Sequence, residues 1–225
     1  QLGDRAGGDG PAGPAAAGSD AALTVCGRFN IVQTPGLDAL LDSLGIAVKL
    51  PPARCNIAPT ESVPLLRHEG GGEARWWLTP SWAPAVDQRY AMFNARSETL
   101  ASSRVFRGPF RRQRGIVPMS SFLEWRKEAG ARVPWLITNA EEALAVAALW
   151  DVWERGEAPL LSCTLVTTEA APAFRDWHSR MPVLLTTEEA LRWLDNSRAI
   201  DSDDPLFAPE LKFPLRLAPE LKFPL

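Results

Sequence analysis

The chain has 225 residues, 46% of them hydrophobic and 23% charged, with a formal net charge of −3. That length suits one large domain or a small pair with a proper core, and the slightly acidic balance means that any nucleic-acid partner must be met by a local basic patch. Three scattered cysteines (Cys26, Cys55, Cys163) and two histidines (His68, His178) exclude a disulfide framework, a CxxC pair and a zinc site, and no apolar run approaches the ~20 residues of a membrane span. A reducing compartment is the expectation.

Residues 1–25 are rich in Gly, Ala and Pro, are almost without large apolar side chains and lack the apolar core of a signal peptide. This composition predicts a disordered leader. Val25 offers an alternative start, because a GTG codon is read as Met when it initiates, and loss of that Met would expose Cys26. The leader is then expected to be absent from the active protein.

Globular character begins at Cys26, with strand character over 26–32. Thr34-Pro35 opens a helix whose stripe of Leu37, Leu40, Leu41 and Leu44 ends at Gly45. Residues 56–60 read as a loop before a strand at 63–67. Gly70-Gly71-Gly72 reads as a hairpin turn, with a return strand over 74–78. The stretch 80–115 reads as loop-rich. Strands are expected at 116–117, 121–126, 133–138, 143–150 and 160–167, which predicts a mainly antiparallel sheet. Helices are expected at about 170–176 and at 187–194, the second with Thr186 and Glu189 at capping-box spacing. Residues 201–204 signal a loop. The octapeptide Ala-Pro-Glu-Leu-Lys-Phe-Pro-Leu then occurs twice, at 208–215 and 218–225, a repeat too short for a solenoid.

Cys26 stands out for what it would be at a chain start. A terminal cysteine carries an amine, with a reference pKa of roughly 7.7–8.0, beside a thiol. The amine can condense with an aldehyde and the thiol can close a thiazolidine on the imine, which an internal cysteine cannot do. Around it stand Asn94-Ala95-Arg96-Ser97-Glu98-Thr99, Phe122-Leu123-Glu124-Trp125, Thr167-Thr168-Glu169 and Trp177-His178-Ser179-Arg180-Met181-Pro182. Glu124 is a carboxylate in an apolar strand, the setting that raises a pKa toward neutrality. Arg104, Arg107, Arg111, Arg112 and Arg114 fall within eleven residues, among Phe106 and Phe110, and form a candidate phosphate track.

These segments, with Cys26-Gly27-Arg28-Phe29, Asn56-Ile57-Ala58-Pro59-Thr60, Pro80-Ser81-Trp82, Val117-Pro118 and Ala148-Leu149-Trp150, closely resemble the SRAP family, the SOS-response-associated peptidases also known as abasic-site processing proteins. The likeness runs over 26–196 and is poor over 197–225. Four departures stand within or just before it. Val25 replaces the usual Met, Trp77 the common Gly after Trp76, Leu123 a typical Tyr, and Gly115 a usual cysteine.

The resemblance implies an α+β single domain with a barrel-like β core and flanking helices. It implies capture of abasic sites in single-stranded DNA through Cys26, with Asn94, Glu124 and His178 completing the active site and no metal or cofactor. Arg28, Arg96 and Arg180 match basic residues near DNA phosphates. Trp82 matches a groove-side aromatic, and Arg104, Trp125, Met181 and Pro182 complete the expected DNA surface. A monomer in the cytoplasm, associated with the nucleoid in a bacterium and not with a membrane, is the corresponding expectation. Two other readings stay open at this stage. One is a cysteine peptidase or autoprocessing N-terminal-nucleophile hydrolase using Cys26, and the other a non-catalytic single-stranded-DNA binding module.

Overall fold

The structure, a computed structural model, describes residues 26–50, 52–139 and 142–219. The expected leader, and all but the start of the second octapeptide, lie outside the described residues. Thirteen strands and three α-helices follow in order: β1 (Arg28–Ile31), α1 (Pro35–Leu44), β2 (Arg54–Ile57), β3 (Ser62–Arg67), β4 (Gly70–Trp76), β5 (Asn94–Arg96), α2 (Arg107–Arg112), β6 (Arg114–Met119), β7 (Ser121–Glu128), β8 (Ala131–Asn139), β9 (Leu144–Trp153), β10 (Leu160–Glu169), β11 (Arg180–Pro182), β12 (Leu184–Leu185), α3 (Thr187–Leu194) and β13 (Leu215–Pro219).

The fold is α+β, as expected. Strands β10, β4, β3, β6 and β9 close on themselves as a five-stranded barrel, because β9 also pairs with β10. A second sheet runs β13-β8-β7-β1-β2, and all its pairings are antiparallel. The exceptions to antiparallel pairing lie on β10, which pairs in parallel with β4 and β5. The two sheets share one core. Phe29 on β1 meets Trp76 on β4 edge to face at 4.9 Å, and both are fully buried.

Both predicted helices with clear caps form where their chemistry placed them. Thr34 accepts the Leu37 N–H, Pro35 opens α1, and Gly45 ends it at φ +65° while the four leucines face the core. In α3, Thr186 and Glu189 make the reciprocal capping box. The expected helix near 170–176 is only a 3₁₀ turn at Pro172–Phe174, since Pro172 holds Ala171 in an extended conformation (ψ 146°).

Two further expectations are corrected, and the loop-rich reading of 80–115 stands with two short elements added. Residues 54–57 are strand β2 and not all loop, with Asn56 at φ +59° and its N–H bound to the Asn30 side chain. The stretch 80–115 holds β5 and α2. Gly70-Gly71-Gly72 is not the hairpin turn. The turn falls at residues 68–69, and the glycines lie within β4. A Cβ on Gly71 would lie 2.5 Å from the Val48 side chain, so close packing explains the glycine there.

Among the described residues, 197–219 pack against the same core. Leu206 and Phe207 are buried, the Lys212 ammonium bonds the Glu189 carboxylate (2.7 Å) and the Leu206 carbonyl (2.8 Å), and β13 extends the second sheet beside β8. The first octapeptide supplies Lys212 and leads into β13.

Arg114 ties the segment after α3 to the barrel. It is 1% exposed, and its guanidinium donates to the carbonyls of Trp193, Phe110, Asp195 and Arg198. Arg114 therefore drops out of the candidate phosphate track. Replacing it would strand four carbonyls, so Arg114→Met should lose on the order of 3–5 kcal/mol in a denaturant titration. The exposed neighbour Arg111→Met should stay within about 0.5 kcal/mol of the parent. Equal stabilities for the two variants would contradict this role.

Candidate active site

Cys26 lies at the entry to β1, and β1 runs antiparallel to β7 with Arg28 opposite Leu123. Cys26 and Gly27 are thereby laid alongside β7 toward Glu124. Cys26 turns into the left-handed region at φ +52°, which costs about 1–2 kcal/mol for a residue with a Cβ. In that conformation its backbone N–H donates to Oε1 of Glu124 at 2.8 Å. Both residues are buried, Cys26 completely and Glu124 to 3% exposure.

Side chains alternate along a strand, so Phe122, Glu124 and Arg126 share one face of β7. Register places Ile137, Trp135 and Val133 opposite them on β8. Over that face lies the segment before His178. Phe174 packs on Phe122 (6.1 Å) and stacks with Trp177 (6.1 Å), while Trp177 meets Trp135 edge to face at 5.8 Å. The Arg126 guanidinium sits over both indoles, 5.9 Å from Trp135 and 5.3 Å from Trp177. Glu124 is therefore roofed by aromatic rings. Leu123 and Trp125, its neighbours in sequence, point to the opposite face.

This environment sets the protonation states. Burial pushes the Glu124 carboxyl up to about 8, opposed by the Cys26 N–H and by the charge of Arg132. Burial, and then the Glu124 charge, hold the Cys26 thiol well above its ordinary range. At neutral pH the pair is thus a carboxylic acid and a thiol. His178 is 9% exposed, and its Nδ1 accepts the Arg180 N–H at 2.9 Å, which leaves the ring proton on Nε2.

Asn94 and His178 come from either side of one strand. β5 pairs with β10 at Leu165–Thr167, and β11 pairs with β10 at Thr167–Glu169. The C-terminal half of β10 therefore holds Asn94 and Arg96 on one flank, and the strand that follows His178 on the other.

The expected DNA residues divide. Arg96, Arg104, Arg107, Arg111 and Arg112 are exposed. Arg28 is half-buried and donates to Asn56 through both its carbonyl (3.3 Å) and its side chain (3.1 Å). Trp82 is 44% exposed, with the Arg104 guanidinium 4.9 Å from its ring. Arg180 is clamped, its two terminal nitrogens bonding Glu98 at 2.9 and 3.0 Å and one of them also the Thr167 carbonyl. Glu98 stays below the usual carboxylate range because, although burial raises it, the Arg180 hydrogen bonds and the charges of Arg180 and Arg96 outweigh that. Met181 and Pro182 are buried and set the strand behind Arg180. Trp125 is half-buried.

Against this geometry, the SOS response associated peptidase (SRAP) family matches residues 25–215. The chain belongs to that family. It is 34% identical over 190 residues to the abasic site processing protein YoqW of Bacillus subtilis, which covers 80% of this chain and 84% of that protein. It is 32% identical over 149 residues to the abasic site processing protein HMCES of Gallus gallus, 55% of this chain and 44% of that one. A crystal structure of a protein from Bacteroides thetaiotaomicron shares the fold, with a TM-score of 0.73 over 85% of this chain and 91% of that one at 21% identity.

Sequence reasoning missed Trp135, Trp177, Arg126 and Glu98. Trp177 adjoins His178 and Glu98 lies in the Asn94 segment, so both were in view without a role. Trp135 and Arg126 join the site only through strand register.

A buried acid with a raised folded-state pKa supports folding fully below its unfolded pKa of about 4.3, and that support is lost as pH rises toward about 8. Glu124→Gln keeps an acceptor for the Cys26 N–H but carries no charge. Its stability relative to the parent should therefore improve between pH 4.5 and pH 8, by on the order of a few kcal/mol. Denaturant midpoints at the two pH values check this, and an unchanged offset would show that Glu124 titrates as an ordinary surface acid.

Proposed function

We propose that this protein captures abasic sites in single-stranded DNA covalently, through a thiazolidine formed by Cys26 when Cys26 is the first residue, and so shields the lesion. The observation that carries the reading is the 2.8 Å contact between the Cys26 nitrogen and a buried Glu124. The names of the relatives, abasic site processing proteins, support the same substrate.

Burial disfavours both an ammonium and a carboxylate, so a terminal Cys26 amine beside Glu124 is kept as the nucleophilic free base. Protonated Glu124 can pass a proton to the ring oxygen of the abasic sugar while its other oxygen takes the proton of the C1′ hydroxyl, which opens the ring to the aldehyde. The amine then adds to C1′, and water leaves as the C=N bond forms. His178, with its proton on Nε2, can hydrogen-bond the departing hydroxyl, and the proton that carries it off as water comes from the adduct nitrogen through Glu124. The Cys26 sulfur adds to the imine carbon, its proton passing through the Glu124 carboxylate to the ring nitrogen. The sum is aldehyde, amine and thiol giving thiazolidine and one water. Asn94 orients the sugar without adding charge. Closing the ring removes the imine that would otherwise undergo β-elimination and cut the strand.

The peptidase reading needs a thiolate, and the burial of Cys26 opposes one. Binding without chemistry would leave the burial of a titratable acid against Cys26 without a purpose.

A chain starting at Cys26 should give a heat-stable adduct with an abasic oligonucleotide on a denaturing gel. Cys26→Ala should give none, and Glu124→Gln should form it roughly 10²–10⁴-fold more slowly. Equal crosslinking by a chain with residues 1–25 retained would overturn the proposal.

The arginines and aromatics on the surface offer no groove-reading element, so binding should ignore sequence. A paired duplex must also extrude the sugar at a cost of a few kcal/mol. The same abasic strand should therefore react faster alone than annealed, whatever its flanking bases. Equal or faster reaction in duplex would remove the single-strand assignment.

A further inference from the structure

The resemblance assigns Arg180 to the DNA phosphates, yet in the structure a carboxylate already fills its fork. Glu98 meets the guanidinium edge to edge, Oε1 on Nη1 at 2.9 Å and Oε2 on Nη2 at 3.0 Å. The other edge is taken as well. Nε and Nη2 donate to the Thr167 hydroxyl at 3.4 and 3.2 Å, and Nη2 to the Thr167 carbonyl at 2.8 Å. A phosphate binds an arginine most strongly through two parallel N–H bonds, and here the free-facing pair is the one that Glu98 holds.

The two partners of this ion pair are unequally placed. The Arg180 side chain is 18% exposed and the Glu98 side chain 46%. Glu98 stands on the 3₁₀ turn Ser97–Thr99, just beyond β5, so its carboxylate can swing into water while Thr167 keeps Arg180 in place. Arg96, at the end of β5, is exposed, and its charge also acts on Glu98. With Glu98 ionised the three side chains carry a single net positive charge, and without it they carry two. Glu169 and Asp203 line the same cavity as Glu98, while Asp204 there is paired with Arg192. A carboxylate displaced from Arg180 therefore meets like charges and is driven back to its partner.

We propose that Glu98 restrains the binding of undamaged single strands by competing with their phosphates for Arg180. The inference rests on the single-strand reading above and adds to it how intact DNA is let go. Intact nucleotides far outnumber abasic sites, so a protein that must reach a lesion gains nothing by holding every strand tightly. With Arg180 masked, noncovalent affinity stays low and retention depends on the covalent step at Cys26. A partly exposed ion pair is worth little, on the order of a two- to fivefold factor, so a phosphate displaces Glu98 without a large penalty. If Glu98 served only to hold Arg180 still, an uncharged acceptor would serve as well. That difference defines the test.

Glu98→Gln keeps an acceptor on the same fork and removes only the charge. The full chain is titrated with an undamaged single-stranded oligonucleotide by fluorescence anisotropy at several salt concentrations. At low salt Glu98→Gln should bind about two- to fivefold more tightly than the parent. The slope of log affinity against log salt should steepen by about 0.7, the value for one more phosphate contact on a single strand. In an Arg180→Gln background the same substitution should change neither affinity nor slope. Intact strand should also inhibit crosslinking to an abasic oligonucleotide at a correspondingly lower concentration in Glu98→Gln. Equal or weaker binding by Glu98→Gln overturns the proposal, and so does an equal gain in the absence of Arg180. Failure of the parent and both variants to bind any single strand overturns this inference and the single-strand reading together. The two are otherwise separable. A chain that crosslinks abasic DNA but binds intact strands no better without the Glu98 charge loses only this inference, and one with the expected gain but no crosslink loses only the covalent reading.

Discussion

The hydrogen bond from the Cys26 nitrogen to Glu124 is the constraint on which the site depends. It joins the start of β1 to the middle of β7 across 98 residues of sequence, in a place from which water is excluded. An exposed carboxylate at the same distance would be ionised at neutral pH and would hold an amine as ammonium. Buried under Phe122, Trp135 and Trp177, Glu124 titrates near 8 instead and can give up a proton. The left-handed turn at Cys26 is strained, and the antiparallel pairing of β1 with β7 holds it in place.

The rest of the fold supplies that pairing with neighbours. Strand β10 leaves its barrel partner β4 after Cys163 and takes β5 on the same side, while β11 replaces β9 on the other. This change of partners brings Asn94 and the strand after His178 to one end of the barrel. Phe174 and Trp177 then lay the His178 segment on the face of β7 that carries Glu124. Arg126, between two indoles, couples the sheet to that segment by cation–π contact, worth up to about 2 kcal/mol when desolvated.

Charge is partitioned as sharply as the aromatics. The chain is slightly acidic overall, and Glu98, Glu169, Asp203 and Asp204 line one cavity of about 270 Å³ beside β10. The exposed arginines of 104–112 lie on a different segment, next to Trp82. A phosphate backbone would be drawn to the second region and repelled from the first, whatever the net charge. Arg180 sits at the boundary, neutralised by Glu98.

Residue chemistry that acts locally was legible in the sequence. Caps and apolar spacing placed α1 and α3, alternation and turn residues marked the long strands, and the ordered motifs around Cys26, Asn94, Glu124 and His178 identified the family. What needed the tertiary structure was everything set by pairing between distant strands. The neighbours of Glu124 in sequence, Leu123 and Trp125, lie on the wrong face. Its real surroundings, Trp135 and Trp177, come from register and from a turn 50 residues away. Arg114 read as one of five equivalent arginines until four backbone carbonyls closed around it. The triple glycine read as a turn until the approach of Val48 explained it. Side-chain type and short-range spacing are written in the chain itself, whereas burial, and hence every shifted pKa in the site, exists only once separate segments exclude water from one another.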